Sequence, residues 1–243
     1  MLDPRNAISS TLRSLGILAP RRIRAHTSVT PLGAREAYRH WASTYRTETA
    51  TSCLDEELAQ RMLGQLSRRR LLDAGCGVGR RIAAIPDAVG LDASPEMLAA
   101  GGARNVVAGD VRAMPFPSES FDMVWCRLVL GHLPDATNAY QELARVCCVG
   151  GHVFVTDFHS DAAAAGHRRS FTDQAGVVHE IEHYVHRDHI GIAQATGLSL
   201  VASDEGAVGT SVRRFYAQGI GLKAYRKDKG LKLVAAYLFR RMA

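Results

Sequence analysis

Three glycines at alternate positions, Gly75, Gly77 and Gly79, follow an apolar run that ends in Asp73. Leu71 and Leu72 read as the end of a buried strand. Residues without a Cβ then let the backbone turn sharply and come close to a ligand. A helix predicted from Arg80 would aim its N-terminal N–H groups at the same place. This loop constrains the chain to an α/β fold with a nucleotide-type cofactor at the end of its first strand. The spacing is G-x-G-x-G behind an aspartate. Dinucleotide sites use G-x-G-x-x-G, so the spacing speaks against a nicotinamide oxidoreductase.

The residues around the loop supply the matching elements. Strands are predicted over residues 88–92, 105–107, 121–126 and 152–157. Helices are predicted between them, one started by Ser94-Pro95 and one over 135–148 that Gly150-Gly151 stops. Strands alternating with helices at this pace mean a parallel, doubly wound sheet. A helix over 188–197, a strand at 198–201 and a last, antiparallel strand over 231–239 complete it. Upstream, residues 34–46 read as a helix carrying Tyr38, Trp41, Ala42 and Tyr45. Residues 54–66 read as another, with Leu54, Leu58, Met62 and Leu66 on one face and Asp55, Glu56 and Glu57 at its positive end. The expected organisation is an N-terminal arm and helical lid over 1–66 and a cofactor-binding domain over 67–243. The latter carries an acceptor-side insertion at about 158–188.

Composition narrows the function classes. The chain has 243 residues, 47% of them hydrophobic, and a net charge of +6. No apolar run approaches the roughly 20 residues of a bilayer span, and no signal peptide is read at the N-terminus. Five cysteines, one of them (Cys76) inside the glycine loop, point to free thiols in a reducing, cytoplasmic setting. The arginines come in short dispersed pairs and triplets without interleaved aromatics. They are expected on a solvated surface rather than against nucleic acid.

Individual residues then take candidate roles. Asp92 ends the second strand 19 residues after Asp73 and can accept from both ribose hydroxyls of a nucleoside. His132 and His159 follow the fourth and fifth strands at the carboxyl edge, where α/β proteins bind ligands. Either can serve as a base or contact an acceptor. Arg127 follows the fourth strand and either reaches the acceptor or solvent. If 177–186 is a strand, His179, Ile181 and His183 share one face that could roof an acceptor pocket. A metal site at His179, His183, His186 and His189 is the sharper alternative. It is set aside because Val177-Val178 favour a strand over the helix that zinc spacing would need.

These residues carry a resemblance. D-x-G-x-G-x-G resembles motif I of the class I S-adenosylmethionine-dependent methyltransferases. Asp110 with Met114-Pro115-Phe116 and Phe121-Asp122 is similar to the "D…LPF…FD" stretch of their UbiE/type 11 small-molecule group. Residues 129–135 resemble its "HHLPD" turn, with Gly131 in place of the first histidine, and residues 142–151 resemble its "E…RVL.PGG" segment. The resemblance covers residues 38–157. It implies a Rossmann-like, mostly parallel seven-stranded sheet and S-adenosylmethionine as methyl donor. It also implies cofactor contacts at Tyr45, Asp73, Gly75, Gly77, Gly79, Asp92, Ala93, Asp110, Val111 and Cys126, with Asp110 on the adenine amino group and no metal. It implies a small-molecule acceptor, with O-methylation preferred and His159 or His132 as base. Arg127, His179 and His183 are the expected acceptor contacts. RNA or protein as acceptor, or cofactor binding without transfer, are the alternatives.

Overall fold

β1 (Leu71–Ala74) is apolar apart from one aspartate and buried along its length, as a central strand must be. The computed structural model describes residues 30–243 apart from 43, 46, 47 and 176. The first 29 residues of the predicted arm therefore lie outside the described residues. β1 pairs in parallel with β2 (Val89–Asp92) on one side and β4 (Phe121–Arg127) on the other. β3 (Val106–Ala108) extends the β2 side, and β5 (Cys147–Phe158) lies parallel to β4. β9 (Lys232–Arg241) is antiparallel to β5, and β8 (Leu198–Ala207) is antiparallel to β9. The order β3-β2-β1-β4-β5-β9-β8 is the mostly parallel seven-stranded sheet expected. Strand order reverses between β1 and β4, so a crevice opens above their carboxyl ends.

Both faces of the sheet are covered. Leu71, Met123, Trp125 and Phe154 pack against α2 (Ala50–Leu63). Leu72, Val124, Cys126, Val153 and Val155 pack against α4 (Thr137–Val146). α2 starts four residues before the predicted 54. Thr49 accepts from the Ser52 amide while Ser52 accepts from the Thr49 amide, a reciprocal cap that the apolar stripe does not reveal. α2, within the predicted N-terminal segment, packs on the sheet.

Two other expectations are corrected. No helix follows the glycine loop: residues 80–88 form successive turns, with the Ile82 and Ala83 amides both on Gly79 O. Pro86 cannot continue a helix, and Asp87 adopts φ +61°. Gly150-Gly151 lies inside β5 instead of stopping a helix. A Cβ on Gly151 would sit 2.8 Å from Asp122 O, so the close approach of β5 to β4 requires glycine there. Among the described residues, no helix is long and apolar enough to cross a membrane. All five cysteines are free.

The cap over the crevice comes from two distant stretches. α1 spans Ala34–Trp41, shorter than the predicted 34–46. The insertion forms a hairpin of β6 (Ser170–Thr172) and β7 (Val178–Glu180). Leu32 joins them: its amide donates to Glu180 O at 2.9 Å and its carbonyl accepts from the Glu182 amide at 2.8 Å. Leu32, Ala37, Trp41, Phe171 and Ile181 bury their apolar surface together. The remaining helices are α3 (Pro95–Ala100), α5 (Ser160–Ala164), α6 (His189–Ala195), α7 (Arg213–Gln218) and α8 (Leu222–Asp228). α7 and α8 connect β8 to β9 and have no counterpart in the sequence reading.

Candidate cofactor and acceptor site

The glycine loop is fastened to β2. The Gly75 and Cys76 amides both donate to Leu91 O, at 2.7 and 2.9 Å. Gly75 has φ +83°, and a Cβ there would run into the Val129 side chain. Gly77 has φ +57°, and a Cβ there would reach Met97 Cε at 3.2 Å and Tyr45 at 3.7 Å. The Gly77 amide donates to Asp92 Oδ2 at 2.7 Å, and the Ser94 amide donates to Asp92 Oδ1 at 2.8 Å. The bend and the carboxylate at the end of β2 are thus one rigid unit.

Above this unit lies a cavity of about 790 Å³, within the size range of small-ligand sites. Of the predicted cofactor residues, Tyr45, Gly75, Gly77, Asp92, Ala93, Asp110 and Val111 border it. Asp73, Gly79 and Cys126 do not. Gly79 faces Ala103, which a Cβ would overlap. Cys126 is fully buried with Leu72, Val124 and α4 on the opposite face of the sheet. Successive side chains alternate across a strand, so Arg127 rather than Cys126 turns toward the cavity. Asp73 is fully buried in β1, and neither carboxylate oxygen has a hydrogen-bond partner among the described residues. Burial pushes its carboxyl up, against the pull of Arg81 and Arg127.

The carboxylates differ in their surroundings. Burial raises the Asp92 carboxyl, and the Ser94 and Gly77 amides oppose that rise. Asp110 is held low by hydrogen bonds from Arg112, whose guanidinium reaches both of its oxygens, at 2.6 Å on the shortest contact. Any adenine contact by Asp110 therefore shares that carboxylate with Arg112.

Arg127 borders the cavity but does not reach solvent. Its side chain is 1% exposed: Nε donates to Asp55 Oδ1 at 3.2 Å, and Nη2 donates to Asp55 Oδ2 and Glu56 Oε2, both at 2.9 Å. Arg81 donates to the same Asp55 at 2.9 Å, and Thr156 Oγ1 donates to it at 2.6 Å. Burial alone would raise the Asp55 carboxyl, yet the two guanidinium groups outweigh it and hold it low. The acidic run Asp55-Glu56-Glu57 suggests only a role at the positive end of the helix. The spacing of Asp55 from Thr51, Leu58 and Met62 nonetheless places it on the buried side of α2.

The four candidate histidines part company. His132 borders the cavity, and its Nε2 lies 3.0 Å from the Tyr38 hydroxyl. Burial, with Arg169 and His183 nearby, lowers its pKa to about 3, so the ring is neutral at any working pH. His159 is a capping residue: Nδ1 accepts from the Asp161 amide at 3.0 Å and Nε2 faces Glu205 at 3.2 Å, away from the cavity. His179 is spent inside the cap, bonded to Asp173 at 2.8 Å and stacked on Phe171. His183 stands behind His132, edge-on to it, with Asp157 at 3.8 Å. It fills the space beside Gly131, where any Cβ would overlap its ring. Among the described residues, no group of three or more His, Cys, Asp or Glu could hold a metal ion.

Comparison with known proteins agrees with this geometry. A family model described as a methyltransferase domain matches residues 72–155. The uncharacterized methyltransferase YcgJ of Bacillus subtilis (strain 168) is 31% identical over 107 residues, 39% of this chain and 42% of that protein. The 27-O-demethylrifamycin SV methyltransferase of Amycolatopsis mediterranei (strain S699) is 33% identical over 134 residues, 49% of each chain. The chain spans about half the length of the curated relatives it matches. A crystal structure of an S-adenosylmethionine-dependent methyltransferase from Mesorhizobium loti has the same fold. Its TM-score is 0.59 at 17% identity, over 77% of this chain and 98% of that one.

Proposed function

We propose that this chain is a class I S-adenosylmethionine-dependent methyltransferase that methylates a small organic molecule; the methyltransferase-domain match over residues 72–155 supports the reading. The observation that carries the reading is the bend at Gly75–Gly77, hydrogen-bonded to Asp92 and facing a cavity of about 790 Å³. The residues present fit an adenosyl donor. Asp92 offers lone pairs to ribose hydroxyls, Gly77 leaves room at the bend, and Tyr45 stands over it. A small acceptor is supported by the cap: α1 closes over the crevice, and β6–β7 pack on α1.

When bound, the donor supplies an activated methyl group on a sulfonium, transferred by displacement in line with the attacking atom. The chain's task is then positioning, which can contribute about 7–11 kcal/mol to such a step. The cap covers one side of the crevice, and Arg127 borders it from the end of β4. Oxygen is the preferred acceptor atom because a neutral imidazole borders the cavity: His132 Nε2 can take a hydroxyl proton where the Tyr38 O–H now sits. With a pKa of about 3 it is a weak base, suited to a hydroxyl that is itself acidic.

Titration calorimetry with S-adenosylhomocysteine, with NADH as control, tests the reading. Saturable binding of the first and none of the second is expected. The reverse result sinks the proposal. Asp92→Ala removes a charged acceptor worth about 1.5–3 kcal/mol, so its dissociation constant should rise roughly 10- to 150-fold. An unchanged constant would remove Asp92 from the site. In an assay of labelled methyl transfer to a metabolite mixture, His132→Ala should lower turnover at least about ten-fold with homocysteine-product affinity intact. Full activity in that variant would reject the base.

A further inference from the structure

A second, smaller cleft of about 40 Å³ opens beside the main cavity and shares Tyr45, Arg81 and Leu128 with it. Three arginines line it: Arg80 and Arg81 from the turns after Gly79, and Arg169 from just before β6. No Asp or Glu is among the described residues that border it. Arg81 gives Nη2 to Asp55, and its Nε is buried without a hydrogen-bond partner. Arg80 has no ion pair among the described residues. Arg169 donates to the Tyr38 hydroxyl at 3.3 Å and has no carboxylate partner among them. The opposite wall is the first turn of the 14-residue α2, with Thr51 and Ser52. Its positive end favours an anion.

Arg80 and Arg169 line the cleft without a carboxylate partner among the described residues, and arginine forks match the two oxygens of a carboxylate. The volume, about 40 Å³, leaves room for a small head group and no larger body. The rest of such a molecule can pass Tyr45 and Leu128, which border both spaces, into the main cavity. Arg169 and Ser170 lie beyond residue 155, where the family match ends, and belong to the hairpin of the cap. We propose that the cleft is a carboxylate subsite for the methyl acceptor, so that the acceptor is an organic acid. The inference rests on the methyltransferase reading for the identity of the bound molecule as an acceptor.

Acetate is the probe. It is titrated, at constant ionic strength with chloride as control, onto protein saturated with S-adenosylhomocysteine, and the melting temperature is followed. A saturable rise is expected, with the acetate midpoint shifted about ten-fold or more in Arg80→Gln and in Arg169→Gln while homocysteine-product affinity is unchanged. Arg80 is exposed and unpaired, so its variant keeps the fold whatever Arg169→Gln does. No saturable rise, or the same midpoint in both variants, overturns the subsite. Acetate competing with S-adenosylhomocysteine would assign the cleft to the donor's own carboxylate and overturn the acceptor assignment. Failure of S-adenosylhomocysteine to bind would reject the methyltransferase reading, while acetate binding to the free protein would still read out the cleft.

Discussion

Asp55→Ala should destabilise the fold by about 3–5 kcal/mol, measured by denaturant unfolding, because it strands buried guanidinium groups. Asp55 is fully buried and is the shared acceptor of Arg127, Arg81 and Thr156. Glu56 remains for Arg127, but it stands half in solvent and reaches Nη2 alone. The cost belongs to the uncompensated charge rather than to the pair as such. Adding Arg127→Met to Asp55→Ala should therefore recover part of the loss. A single variant within 1 kcal/mol of the parent would show that water already solvates the cluster. Acid has a related effect. The folded carboxyl is held below its ordinary value, so its stabilising contribution is complete above about pH 4 and fades as pH falls through the lower folded value. The parent should thus lose more stability than Asp55→Ala between pH 4 and pH 2.

Gly75→Ala is expected to abolish measurable S-adenosylhomocysteine binding and to lower the melting temperature. An L-residue at φ +83° costs about 1–2 kcal/mol, and forcing a methyl group against Val129 costs about 1–3 kcal/mol more. The loop can relieve both by moving, but its amides hold Leu91 O and its position defines the floor of the cavity. Gly75→Ala with Val129→Ala separates the two causes. The double variant should regain most of the melting temperature, since the overlap is gone, and less of the affinity, since the dihedral strain stays. If the single variant binds as the parent does, the bend is not the cofactor cradle.

The sheet was legible because its signals are local. Leu71-Leu72 before the glycines, the apolar run at residues 121–126 and the carboxylate at the end of β2 each carry their meaning within a few residues. The same holds for the helix stop at Gly197 and the Ser94-Pro95 start. What stayed hidden depends on partners far along the chain. Nothing near Arg127 indicates Asp55, 72 residues earlier, as its partner. His159 sits at the carboxyl edge that suits a base, yet a helix start and Glu205 occupy both ring nitrogens. Cys126 was misplaced by one step of strand alternation, which sequence alone leaves open when both sheet faces are apolar. The missing helix after Gly79 was called for by the motif, but Pro86 and the short return to β2 leave it no room.

The stitch between Leu32 and Ile181 makes the roof of the crevice a single plank cut from two ends of the chain. An insertion or deletion in one end shifts the edge against which the other is laid. Evolution is thereby obliged to revise both stretches together, and a transplant of the hairpin into another scaffold without its N-terminal mate carries only half a roof.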